Sequence, residues 1–135
     1  MTPPAHTRFI NPPTLAASPA YTQVVEVSGG RTLYISGQVA LDAAGHVVGA
    51  GDVRAQLEQV FANLQAALAA ADVTFAHVVK LNIYVLDMAD LPILREVRER
   101  YVSTQAPPAS TLVEVRRLAR EEFLVEIEAI ASVPV

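Results

Sequence analysis

Between Phe123 and Ala131 the side chains alternate. Phe123, Val125, Ile127, Ala129 and Ala131 fall on one side of an extended chain, and Leu124, Glu126, Glu128 and Ile130 on the other. A period of two is the spacing of a β-strand and fits no helix. The stretch just before it, Ala106 to Leu118, is rich in β-branched residues and reads as a strand entered through Pro107-Pro108. Two carboxylates in the middle of so apolar a strand are the oddest local feature of the chain. A carboxylate held against a sheet must find partners or shift its pKa. Glu126 and Glu128 are therefore the first candidates for chemistry; the structural alternative is that they point into water from a half-exposed face.

The rest of the chain supplies the layers around these strands. Val53, Leu57, Val60, Phe61, Leu64 and Leu68 follow helical spacing behind Asp52, a suitable N-cap, and the helix ends near Asp72. From His77 to Leu86 the period returns to two, with Val79, Leu81, Ile83 and Val85 on one face and Lys80, Asn82 and Tyr84 on the other. A second helix follows Asp87–Asp90, with Pro92 in its first turn and Leu91, Leu94, Val97 and Tyr101 as its buried stripe. Earlier, Thr22–Val27 and Arg31–Ser36 read as a hairpin turning at Ser28-Gly29-Gly30, and Val39–Val48 as a short pairing interrupted at Ala44-Gly45. Five of the nine prolines lie between Pro3 and Pro19, so residues 1–17 are expected to be an extended lead-in and residues 18–135 a single domain.

The resulting order, β-β-(β)-α-β-α-β-β, predicts an α+β fold in which two helices cover one face of a mixed sheet. The other face would carry Val78, Lys80, Asn82, Tyr84, Leu112, Glu126 and Ile130. It must be solvated or buried against another copy. Its apolar content favours a homo-oligomer, whose subunit seams are natural places for a small-molecule pocket.

Composition removes several function classes. The net charge is −4, with 10 basic and 14 acidic residues and no basic run, which disfavours nucleic acid as a partner. With no cysteine there is no disulfide, thiolate nucleophile or zinc–thiolate site. The N-terminal stretch lacks the apolar core of a signal peptide, and no run approaches the roughly 20 apolar residues that span a membrane. A cytoplasmic protein without membrane contact is expected. No phosphate-binding or dinucleotide-binding glycine motif is present. His6, His46 and His77 lack metal-like spacing, so no metal site is expected, and Ser36 has no nucleophile-elbow context.

Several segments together resemble the RidA/YjgF family, also known as endoribonuclease L-PSP-like. They are Ser18-Pro-Ala-Tyr-Thr-Gln23, Leu33-Tyr-Ile-Ser-Gly-Gln38, Val78–Met88 and, most specifically, Pro107-Pro-Ala-Ser-Thr-Leu-Val-Glu-Val115 followed by Leu118 and Val125–Ala131. The resemblance implies a chorismate-mutase-like fold assembled as a homotrimer, with three sheets forming a central barrel and clefts between subunits. It also implies hydrolysis of reactive enamines and imines without metal or organic cofactor. Glu126 stands where the family orients its water. Tyr21 matches the pocket tyrosine, Ser36, Gly37 and Gln38 match the cleft-lining segment, and Ser110, Thr111 and Leu112 follow the signature Pro-Ala.

One departure bears on substrate. Deaminating members carry an arginine after that Pro-Ala to grip the substrate carboxylate, and here Ser110 stands in its place. Charge-assisted bonds from a guanidinium contribute about 1.5–3 kcal/mol each, so carboxylate binding would weaken on the order of 100-fold. The asparagine that the family carries after its Asp-Leu is replaced by Ala89. Two readings follow: an imine or enamine hydrolase with altered substrate specificity, in which Glu126 handles the water, or a non-catalytic trimeric small-molecule-binding or regulatory protein. An acidic chain with no histidine pair or basic groove is poorly suited to cleave RNA.

Overall fold

The computed structural model describes residues 6–135; the start of the expected lead-in, residues 1–5, lies outside them. Six strands and two helices follow in the order β1 (Thr7–Ile10), β2 (Val24–Val27), β3 (Arg31–Gln38), α1 (Val53–Ala70), β4 (Val78–Val85), α2 (Leu91–Arg98), β5 (Ala109–Glu114) and β6 (Val125–Val133). A four-stranded sheet has the order β3-β6-β4-β5, and β1 pairs with β2 in a separate two-stranded sheet. The β4–β5 pair is parallel; β6 is antiparallel to both of its neighbours.

The helices form where the apolar stripes put them. Asp52 caps α1 by accepting from the Ala55 backbone N–H at 3.1 Å, and the helix closes at Ala71, before Asp72 takes a positive φ of 60°. Leu57, Val60, Phe61, Leu64 and Leu68 are fully buried, against Leu81, Ile83, Val125, Ile127 and Ala129 of the sheet. Truncating one of these leucines to alanine costs about 2–5 kcal/mol, which makes this layer the main support of β4 and β6. Phe61, Phe75 and Tyr101 pack ring to ring, with centroids 5.2–6.2 Å apart, and join α1 to the segment after α2. The buried face of β6 is the one the alternation predicts, and Leu41 pairs with Val47 as the short interrupted ladder.

Three expectations are corrected. The first is the hairpin: the chain does turn at Gly29 and Gly30, both with positive φ, but β2 pairs with β1 and β3 with β6. A Cβ at Gly30 would sit 2.3 Å from the Val133 carbonyl oxygen, so the glycine lets the chain cross onto the end of β6. The eight residues of β3 thereby join the nine of β6, a longer ladder than four-residue β2 offers. Within the described part of the expected lead-in, Thr7–Ile10 is a paired strand and Pro12–Leu15 a turn closed by the Leu15 N–H on the Pro12 carbonyl at 3.1 Å.

The second is Val78, which belongs to the core rather than the open face. A register shift between Val78 and Lys80 sets it opposite Ala131, with Val79 only half-buried. The third is Leu112. It lies opposite Ile83 in the parallel ladder and so shares the helix-covered face, where it packs against the core.

Candidate active site on the open sheet face

The face of the sheet away from the helices carries Lys80, Asn82 and Tyr84 from β4, Glu126, Glu128 and Ile130 from β6, Tyr34 from β3, and Thr111 and Val113 from β5. Of its two tyrosines, Tyr34 is 80% exposed. The two acids anticipated from the alternation both stand on this face, but in different circumstances. Glu128 accepts a hydrogen bond from the Tyr84 hydroxyl at 2.6 Å and another from Asn82 Nδ2 at 3.3 Å. That bond to Glu128, together with burial and the charges of Glu128 and Glu126, holds the Tyr84 phenol above its ordinary pKa. Glu128 is thereby committed.

The Glu126 carboxylate has no hydrogen bond or ion pair to any described residue, and the residue is half-buried. It stands opposite Tyr84 on one side. On the other it lies over β3 at the irregularity between Ile35 and Gln38. A Cβ at Gly37 would come within 2.1 Å of Glu126 Oε2 and 2.8 Å of its Cδ. The carboxylate therefore occupies the space that any other residue at position 37 would fill. Ser36 is exposed beside it, and Gln38 folds its amide back onto the Ser36 carbonyl at 3.0 Å. A carboxylate with free lone pairs, partly shielded and resting on bare backbone, can accept a proton from a water molecule.

The remaining anticipated residues, Tyr21, Ser110, Thr111 and Leu112, lie on β5 and on the segment docked at its start. Thr22, fully buried, donates through Oγ1 to the Pro107 carbonyl and through its N–H to the Pro108 carbonyl at 3.2 Å. These bonds tie the half-buried Tyr21 to the start of β5, where Ser110 follows two residues on. Ser110 lies opposite Leu81 and Leu112 opposite Ile83, so both face the helix layer. Only Thr111 of that trio shares the face of Glu126, and Lys80 Nζ donates to its Oγ1 at 2.9 Å. From the strand spacing and rise, Ser110 and Glu126 are on the order of 14 Å apart and on opposite faces. One protomer thus brings Glu126 together with Gly37 and docks the Tyr21 segment at the start of β5, but does not bring Glu126 and Ser110 together.

All three histidines have structural contacts: His6 Nε2 with Ser132 Oγ at 2.9 Å, His46 with Asp42 at 3.7 Å, and His77 Nδ1 accepting from the Thr74 N–H at 3.2 Å. Nothing in the sequence pattern singles out Gln56. It is fully buried in α1, donates to the Gly49 and Glu122 carbonyls, and accepts from the Leu124 N–H at 2.8 Å. It fixes the chain two residues before Glu126. Among the described residues no helix is long and apolar enough to cross a membrane.

The family model Endoribonuclease L-PSP matches residues 12–133. The chain is 45% identical over 111 residues to Protein DfrA of Myxococcus xanthus, covering 82% of this chain and 83% of that protein. It is 39% identical over 116 residues to 2-iminobutanoate/2-iminopropanoate deaminase of Mus musculus, covering 86% and 83%. Among solved structures it is similar to YyfB of Yersinia pestis, a protein of unknown function of the conserved Rid family. The TM-score is 0.84 at 39% identity, over 95% of this chain and 99% of that one.

Proposed function

This chain belongs to the endoribonuclease L-PSP (RidA/YjgF) family, and on that premise we propose that it is a Rid-type deaminase hydrolysing a reactive imine or enamine. The observation that carries the proposal is the Glu126 carboxylate, unpaired over Gly37 while its neighbour Glu128 is tied to Tyr84 and Asn82. An iminium carbon is already electrophilic, so catalysis needs a positioned water and a proton acceptor more than it needs a nucleophile or a metal. Glu126 takes a proton as the water oxygen bonds to the imine carbon. Glu126 then returns that proton to the carbinolamine nitrogen, and as the C–N bond breaks it takes the hydroxyl proton, so that ammonia leaves behind a carbonyl compound.

The working unit in this proposal is a homotrimer with its clefts between subunits. The opposed positions of Glu126 and Ser110 support this, because a ligand touching both needs Glu126 and Gly37 from one copy and Tyr21 and Ser110 from another. With Ser110 where deaminating members carry arginine, the preferred substrate lacks the carboxylate that this arginine would grip. The setting is cytoplasmic, where such imines arise as by-products of metabolism.

The test is hydrolysis of 2-aminoacrylate, generated in place, by the wild type, Ser110→Arg and Glu126→Gln. Gain of activity in Ser110→Arg, lost again in the double variant with Glu126→Gln, supports both the chemistry and the altered specificity. Wild-type activity that survives Glu126→Gln overturns the role of that residue. A second reading, a trimeric small-molecule-binding protein without turnover, is favoured by Ser110 itself. It predicts ligand-dependent thermal stabilisation with no product from any variant.

A further inference from the structure

Arg98, in the last turn of α2, is only 8% exposed, and its guanidinium has neither a hydrogen bond nor an ion pair to any described residue. A guanidinium presents five N–H donors in a rigid fork and stays charged at any physiological pH. Its nitrogens are not sealed off from solvent but open onto a cavity, so the donors are free to meet a ligand. Burial lowers its pKa, the positive charge of Arg95 adds to that effect, and Glu99 opposes it.

The side chain borders a cavity of about 190 Å³ whose polar lining consists of Ser18, Arg95, Arg98, Glu99, Ser103 and Thr104. Arg95 is one helical turn before Arg98 and has no ion pair of its own. Ser18 Oγ already accepts the Ala20 N–H at 3.1 Å, and Ser103 Oγ accepts the N–H groups of Gln105 and Ala106 at 3.2 and 3.1 Å. Oxygens engaged in this way keep a hydroxyl proton to donate. The cavity thus offers two guanidiniums and several hydroxyl donors against one carboxylate, that of exposed Glu99, which pairs with neither arginine. None of the residues proposed for the imine-hydrolysing cleft lines it.

We propose that this cavity is a binding site for a small oxyanion, the carboxylate or phosphate group of a metabolite, gripped by the Arg98 fork with Arg95 as the second cation. Its volume lies below the roughly 300–1,000 Å³ of pockets that hold drug-sized ligands, which limits the occupant to a compact anion. The site is separate from the deaminase reading and stands or falls without it.

The experiment follows the arginine Nε–Hε resonances of the whole protein during titration with inorganic phosphate and, separately, with acetate; chloride is the ionic-strength control. A saturable shift of the Arg98 signal with phosphate alone assigns a phosphate site, with acetate alone a carboxylate site, and with both a general oxyanion site. Arg98→Met binds the same ion about tenfold or more weakly, as expected for loss of charge-assisted bonds. No saturable shift in the wild type overturns the proposal, as does equal affinity in Arg98→Met. A signal that responds to protein concentration and not to anions assigns the cavity to a second copy and likewise overturns it. If Arg98→Met does not fold, Arg95→Gln on the exposed side replaces it, with several-fold weaker binding expected and unchanged binding counting against the site.

Discussion

At position 37 a single methyl group decides where a carboxylate sits. The backbone of Gly37 does not require a positive φ, and the atom a Cβ would meet, Glu126 Oε2, is the end of a flexible side chain. Gly37→Ala should therefore fold with a stability loss below about 1 kcal/mol while swinging Glu126 aside. Steady-state hydrolysis should show kcat falling at least tenfold with KM little changed; equal loss in both would place Gly37 in substrate binding instead. Tyr84 is held above its ordinary pKa of 10.0 by its bond to Glu128. The folded state then keeps the phenol proton longer than the unfolded chain does. The stabilisation is complete below pH 10 and is lost as pH rises through the folded-state value. Urea unfolding of the wild type should weaken more steeply above pH 10 than that of Tyr84→Phe. The alternation placed Glu126 and Glu128 on one face, but which of them is free depends on Tyr84 and Asn82 standing opposite. That is a matter of register, invisible in a single strand.

The elements were legible wherever one periodicity governed them. The stripe behind Asp52 forms as read, because it can be buried only by a helix against the sheet, whereas α2 buries Leu94 and Val97 but ends at Arg98, so Tyr101 of the expected stripe lies beyond the helix. Pairing was less legible. Glycines at 29 and 30 satisfy a hairpin and a crossover equally well, and only the close approach of Gly30 to Val133 distinguishes them. Val78 was misplaced because a bulge breaks parity, and Leu112 because nothing local sets a parallel register. Gln56 shows what pattern reading misses between elements: one buried amide satisfies three backbone groups from the loops before α1 and β6. Gln56→Leu keeps the volume and orphans all three, so denaturant unfolding should show a loss of about 2–4 kcal/mol. Hydrolysis should fall as well, since Leu124 leads directly to Glu126.

For the molecule as a whole, the two helices leave one sheet face open, and Tyr34, Ile130 and Val113 stand on it among its polar groups. In the proposed trimer this is the surface the copies share. Tyr34→Asp would add a third carboxylate beside Glu126 and Glu128. Sedimentation should then find monomers, and hydrolysis should vanish with the trimer; an intact trimer would remove Tyr34 from the seam. The sheet order was the least legible feature, because β6, last of the six strands in the chain, lies between β3 and β4. This arrangement also sets a timetable. While the chain is being synthesised, β3 has no partner in its sheet, and the apolar undersides of β3 and β4 cannot close over α1. The β4–β5 pair with its helices can assemble early, but the sheet becomes continuous only when residues 125–133 arrive. Nascent chains short of that point are left with open strand edges, and they are where a chaperone would be needed most.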